Sequence, residues 1–173
     1  MSEEFELTYL AKSLPETLFL SPAKEILDIY IPASADHAIL RIRKRGDSYE
    51  ITKKQPVQEN DSSHQIENTI LLTKDEFDEL SCIEGKRVRK VRYQYSEANS
   101  EYEVDVFQDD LKGLVLVDVE FNSPQEKSAF TPPVWLLADV TQEEFIAGGV
   151  LCGKKYSDLE DELSTHGYKK FSF

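Results

Sequence analysis

Apolar and polar residues alternate with a period of two along most of the chain, a pattern typical of strands with one buried face. After an N-terminal strand that contains EFELT, the alternation predicts further strands over 26–32, 37–45, 49–54, 65–72, 87–95, 101–107 and 114–121. Short turns such as Gly46-Asp47 connect several of them. About eight short strands at this spacing predict an antiparallel sheet that is strongly curved or closed into a barrel.

Helix signals are fewer, and most of them lie late in the chain. Thr73, with Glu76 three residues on, forms a capping box that predicts a helix over TKDEFDELS. Further short helices are predicted over 123–130, beginning at Pro124, and over 156–167, ending at Gly167. Because no linker divides the chain, we expect a single α+β domain over 1–173 with its helices packed outside the sheet.

Sorting each strand by parity places most charged side chains on one face, with the two signs on different strands. The acids pair as Glu4 and Glu6, Glu103 and Asp105, and Asp118 and Glu120. The bases are Arg41, Arg43 and Arg45, then Lys54, then Lys90 and Arg92. For each strand alone, a solvated outer face is the favoured interpretation. A solvated sheet face usually mixes its charges, however, because like charges in neighbouring positions destabilise the sheet.

The alternative is that the charged face lines the inside of a barrel that holds a ligand. Clustered arginines and lysines suit phosphate oxygens, and clustered carboxylates suit a hard divalent cation such as Mg²⁺ or Mn²⁺. Together they predict a site for a metal ion and a triphosphate.

Composition narrows the class of protein. The 173 residues carry 33 acidic and 20 basic side chains, so the net charge of −13 argues against a general nucleic-acid binder. No apolar run approaches the ~20 residues of a membrane span, and no secretory leader is recognisable. Cys82 and Cys152 have no metal-ligand spacing. We therefore expect a cytoplasmic protein that has reduced thiols and no membrane partner.

The same residues resemble the CYTH superfamily, also called triphosphate tunnel metalloenzymes, which includes thiamine triphosphatases, inorganic triphosphatases and class IV adenylate cyclases. Its N-terminal ExExK motif is EFELT in this chain, and the resemblance continues through ILRIRKRGDSYEITKK, RVRKVRYQY, DVFQDDLKGLVLVDVEF and FTPPVW. It covers nearly the whole chain and implies a closed eight-stranded antiparallel barrel, or tunnel.

The resemblance also implies a role for each charged residue. The metal ligands would be Glu4, Glu6, Glu103, Asp105, Asp118 and Glu120. The phosphate ligands would be Arg41, Arg43, Lys54, Lys90, Arg92 and, in the CGKKY segment, Lys154 or its neighbour Lys155. Catalysis would depend on Glu4, Glu6, Lys54 and Arg92.

The implied function is hydrolysis of a small-molecule triphosphate with Mg²⁺ or Mn²⁺ as cofactor, by a monomer or homodimer. Inorganic triphosphate is the first expectation for the substrate, with thiamine or nucleoside triphosphates next. Thr8 stands where the family motif has its lysine. A non-catalytic module that binds polyphosphate or nucleotide is therefore the alternative, and an adenylate cyclase of class IV type is a more remote one.

Overall fold

The computed structural model describes residues 2–59 and 61–173. The strands within them are β1 (Ser2–Ala11), β2 (Ala23–Ile31), β3 (Leu40–Arg45), β4 (Ser48–Pro56), β5 (His64–Leu72), β6 (Lys86–Glu97), β7 (Ser100–Phe107), β8 (Val115–Phe121) and β9 (Leu136–Asp139). The α-helices are α1 (Lys74–Leu80), α2 (Pro124–Ala129), α3 (Gly148–Leu151) and α4 (Glu160–Thr165).

Eight of these strands close into an antiparallel barrel, which confirms the predicted fold class. The strands are hydrogen-bonded in the order β5-β4-β3-β2-β6-β7-β8-β1, and a further pairing of β1 with β5 completes the ring. The closure is short, since only Ser2–Phe5 of β1 face β5. Because closure removes the open edges of a sheet, it leaves an inside and an outside on which alternate side chains lie.

Strand β9 was not predicted. It pairs with β1 at Tyr9–Ala11, further along the edge that β1 also presents to β5. Its sequence, LLAD, is four residues long and has no alternation, so it carries too little periodicity to be recognised.

Element bounds otherwise follow the predictions with two corrections. The strand predicted over 37–45 begins at Leu40 in the structure. The helix predicted over 156–167 is a 3-10 turn (Tyr156–Asp158) followed by α4, and Gly167 ends it with a φ of 72°. The capping box at Thr73 is present, with Glu76 as its second member.

Apolar side chains cover most of the outside of the barrel. Val104 and Val106 of β7 lie outside, in a cluster with Trp135 from the segment before β9. Phe77 of α1 covers Ile42 of β3 and its neighbours in the same way. Arg41, Arg43 and Arg45 of β3 and Glu103 and Asp105 of β7 have the opposite parity and line the inside.

One end of the barrel is closed by the C-terminal part of the chain. Leu10 and Leu116, which face each other across β1 and β8, join Leu151 of α3 and Leu163 of α4 in the largest buried cluster. Charged residues therefore line the barrel down to an apolar floor. No helix in the described ranges has the length and apolar character that crossing a membrane requires.

Candidate active site

A cavity of about 890 Å³ occupies the inside of the barrel. Eleven of the residues predicted for the site line it: Glu4, Glu6, Arg41, Arg43, Lys54, Lys90, Arg92, Glu103, Asp105, Asp118 and Glu120. Lys154 and Lys155 follow α3 and are not among the described residues that line the cavity. The phosphate-binding role predicted for Lys154 therefore has no support in the geometry.

Two glycines at the start of α3 line the floor of the cavity and lie close to the barrel. A Cβ on Gly149 would lie 1.9 Å from the carbonyl oxygen of Ala38, and one on Gly148 would lie 2.1 Å from the Tyr30 hydroxyl. No side chain fits at such distances, so only glycine lets this helix approach the end of the barrel so closely.

Four carboxylates crowd one wall of the cavity. The register of β1 and β8 places Glu6 opposite Glu120 and Thr8 opposite Asp118. Burial, followed by the charge of Glu6, raises the pKa of Asp118, and burial, Glu6 and Glu4 raise the pKa of Glu120. This wall therefore carries negative charge that the protein itself does not fully compensate.

Thr8 supports this wall as a neutral hydrogen-bond donor. Its hydroxyl donates to Asp118 Oδ1 at 2.8 Å, and its backbone N–H donates to Thr141 Oγ1 at 3.0 Å. Thr141 was not predicted, because it acts through its position beside β1 and belongs to no charged motif. The residue in place of the motif lysine thus holds one acid of the wall in a fixed orientation.

Lys54 reaches the acid wall from β4. Its Nζ lies 2.7 Å from Glu6 Oε1 and 3.0 Å from Glu4 Oε2. Burial alone would lower the pKa of Lys54, but the charges of Glu6 and Glu4 outweigh it and raise the pKa above the usual range. The first two acids of the N-terminal motif therefore have a cation between them, supplied by another strand.

Arg92 is fully engaged by carboxylates. Its Nε and Nη2 donate to Asp105 Oδ1 and Oδ2, both at 2.6 Å, and Nη2 also lies 3.0 Å from Asp118 Oδ2. Its Nη1 contacts Glu103, and Lys90 contacts Asp105 from the same strand. Burial would raise the pKa of Asp105, but Arg92 and Lys90 hold it at about 2.

Arg43 is held by an acid that the sequence did not reveal. Its Nε and Nη2 donate to the two oxygens of Asp28 at 2.6 and 2.8 Å, and both side chains are almost wholly buried. Burial would raise the pKa of Asp28, but the charge and hydrogen bonds of Arg43 keep it well below its usual range. The signal was present: Asp28 is a lone acid within the apolar strand ILDIYI.

The acids divide into two groups as possible metal ligands. In the described part of the chain, no three or more His, Cys, Asp or Glu side chains are already arranged to hold a metal ion. Asp105 and Glu103 are bound by Arg92, so their oxygens are less available than predicted. In the described ranges, Glu4, Glu6, Asp118 and Glu120 have Lys54 and Arg92 as ion-pair partners, two cations for four carboxylates. They therefore form an oxygen-rich set with excess negative charge, which suits a hard divalent cation.

Comparison with known proteins identifies related chains. No protein-family model matches this chain. The chain is 33% identical, over 144 residues, to the inorganic triphosphatase of Nitrosomonas europaea, a match that spans 82% of this chain and 91% of the relative.

Solved structures agree with that match. The crystal structure of an inorganic triphosphatase superposes with a TM-score of 0.63 at 28% identity, over 88% of this chain and 95% of the other. A protein of Pyrococcus horikoshii has a TM-score of 0.51 at 16% identity, over 96% of this chain and 91% of its own, which shows a shared fold alone.

Breaking the buried ion pair of Asp28 and Arg43 should have a large effect on the free energy of unfolding. Asp28→Asn removes the charged partner that Arg43 binds through two hydrogen bonds and leaves Glu50 at 4.0 Å, so the free energy of unfolding should fall by about 3–5 kcal/mol. Glu25→Gln, on the same strand, breaks the exposed ion pair with Arg89 (2.7 Å) and should cost less than about 1 kcal/mol. Urea unfolding of both variants measures the difference, and equal costs would contradict the importance given to the buried pair.

Proposed function

Because the chain belongs to the CYTH, or triphosphate tunnel metalloenzyme, superfamily, we propose that it is a triphosphatase that hydrolyses inorganic triphosphate inside its barrel. The observation that carries this proposal is the cavity, in which acids from β1 and β8 face bases from β3 and β4. A basic wall suits a phosphate chain, and an acidic wall suits the cation that accompanies it.

The lining of the cavity favours inorganic triphosphate over larger substrates. The phenyl and phenol rings among the described lining residues are those of Tyr30 and Phe107, and both belong to the buried core cluster at the floor. A nucleobase or a thiamine ring would stack best on a free aromatic ring, and neither of these two buried rings is free for such a contact. We therefore propose a free, small-molecule triphosphate without an organic group as the substrate.

Enzymes of this superfamily generally depend on a divalent cation. In this chain we propose Mg²⁺ or Mn²⁺, held by Glu4, Glu6, Asp118 and Glu120. When bound, such a cation would neutralise phosphate charge and make the terminal phosphorus more susceptible to water. Since Lys54 lies between Glu4 and Glu6, cation binding and the position of this lysine are coupled.

The chain's own residues bind and orient the phosphates. The Lys54 ammonium is a mobile donor that can turn from the glutamates toward a phosphate oxygen. Within the described ranges, Arg41 of the neighbouring strand β3 has its closest carboxylate at 3.7 Å, in Glu67, which leaves its guanidinium available to an anion. Asp28 and Asp105 fix Arg43 and Arg92, so these two arginines supply positive charge that does not move on binding.

Purified protein should release phosphate from inorganic triphosphate when Mg²⁺ or Mn²⁺ is present. Because the removal of residues that only support metal ligands costs about 10- to 100-fold, Glu6→Gln should lower activity by about 100-fold or more. Glu25→Gln removes the same charge from the outside and should keep full activity. No release from inorganic, thiamine or nucleoside triphosphates with either metal would refute the proposed function.

Variants of Lys54 and Thr8 test whether the protein is a fully active enzyme or a weakened one. Lys54→Gln should lower kcat/KM for inorganic triphosphate by about 10- to 100-fold, since it removes a charged donor. Thr8→Lys should not raise turnover, because Lys54 already supplies a cation to Glu4 and Glu6 and the new lysine would occupy Asp118. Steady-state kinetics measure both changes, and a large gain with Thr8→Lys would show instead that the threonine limits catalysis.

Thermal unfolding measures metal binding independently of catalytic activity. Excess Mg²⁺ or Mn²⁺ should raise the Tm relative to protein in EDTA, because a ligand that binds only the folded state stabilises it. Glu120→Gln should reduce this shift by at least half, whereas Glu25→Gln should leave it unchanged. An equal shift in all three proteins would mean that the cation binds outside the barrel.

A further inference from the structure

The inner face of β3 carries three arginines in succession, Arg41, Arg43 and Arg45. Alternate residues of a strand point to the same side, so the three side chains enter the cavity one after another, and the Cα atoms of the outer two are about 13 Å apart. Arg45 lies next to the Gly46-Asp47 turn, away from the end that α3 closes. Its function differs from that of Arg43, as the hydrogen bonds show.

In two arginines of the cavity, Nε–H and a neighbouring Nη–H already donate together to a carboxylate. A guanidinium binds a carboxylate or a phosphate best through two parallel N–H groups. Arg43 uses Nε and Nη2 on Asp28, and Arg92 uses Nε and Nη2 on Asp105. To bind a phosphate in this way, either arginine would have to release a buried carboxylate.

The other two arginines are engaged more weakly: Arg45 Nη2 donates to Glu50 Oε1 at 3.4 Å, and the Nε groups of both arginines are unused within the described residues. In the described ranges, the buried side-chain polar atoms that lack a hydrogen-bond partner are Arg41 Nε and Arg45 Nε. Their contacts with carboxylates are long, with Glu67 at 3.7 Å from Arg41 and Glu50 at 3.4 Å from Arg45. A buried donor without a partner is costly, so these two Nε groups, both on side chains that line the cavity, are available to an acceptor on a bound anion.

The positive charge around Arg45 also favours an anion as the acceptor. Burial and the nearby charge of Arg43 lower the pKa of Arg45, and Arg92 and Arg41 act in the same direction against the opposing effect of Glu50. The guanidinium groups repel one another when the cavity holds no anion. An anion with several negative oxygens would relieve this repulsion and satisfy both Nε donors.

We infer that Arg45 is a further substrate-binding residue, whose paired N–H donors bind the phosphate chain together with those of Arg41. The inference rests on the proposed function for the class of anion. Because the two donor pairs are separated along the strand, they suit an extended chain of phosphates better than a single phosphate. Arg45 would then favour triphosphate over orthophosphate.

Calorimetric titration with inorganic triphosphate in EDTA tests this inference without turnover. Arg45→Gln should weaken binding by about 10- to 100-fold, which is the effect of one charged hydrogen-bonding group. Arg45→Lys keeps the charge but not the paired donors, so its affinity should lie between those of wild type and Arg45→Gln. For orthophosphate, Arg45→Gln should change the affinity by less than it does for triphosphate.

Lys44→Gln is the matched control, because Lys44 is the adjacent residue on β3 but lies exposed on the outside. It removes the same charge and should change triphosphate affinity by less than about twofold. If Arg45→Gln binds triphosphate as tightly as wild type, or if both variants weaken binding equally, the inference is wrong. Circular dichroism confirms that each variant is folded.

The role of Arg45 in binding and the proposed triphosphatase activity can fail independently of each other. Wild-type protein that binds triphosphate through Arg45 but releases no phosphate would refute the triphosphatase and leave the binding residue in place. Wild-type protein that hydrolyses triphosphate with a KM unaffected by Arg45→Gln would refute the inference and leave the enzyme in place.

Discussion

The structure depends on the compensation of charge inside a closed barrel. An unpaired ion in a protein interior is costly, and several ions of one sign side by side are more so. The interior of this barrel is nevertheless lined by charged residues from almost every strand. Much of this charge is paired: Asp28 binds Arg43, Asp105 binds Arg92 and Lys90, and Glu4 and Glu6 bind Lys54.

Compensation inside the barrel is incomplete in two places, where the proposed function places the metal ion and the phosphates. Asp118 and Glu120 have excess negative charge around them, while Arg41 and Arg45 have donors without acceptors in the described part of the chain. In the proposed function, a cation would bind at the first pair and an anion at the second. A metal ion bound to a phosphate chain would satisfy both, so an imbalance that destabilises a closed core would contribute to substrate binding under the proposed function.

Strand parity made the fold and much of the cavity lining predictable from the amino-acid sequence. The segregation of acids and bases on one face indicates a barrel interior, because a solvated face would mix them. The amino-acid sequence did not show which charged side chains inside the barrel have an ion-pair partner and which do not. Asp28 reads as one polar residue in an apolar strand, and its contact with Arg43 depends on the register of β2 and β3. Thr141 and β9 act through tertiary position, and Lys154 stays a prediction from the motif order, since the described lining of the cavity does not include it.

The most direct test of this account is a crystal structure of Glu6→Gln with inorganic triphosphate and Mg²⁺. The account predicts a phosphate chain along the inner face of β3, with oxygens within about 2.7–3.2 Å of guanidinium nitrogens of Arg41 and Arg45. It also predicts that Arg43 and Arg92 remain bound to Asp28 and Asp105. A phosphate chain outside the barrel, or one bound through Arg43 and Arg92 after release of their carboxylates, would contradict it.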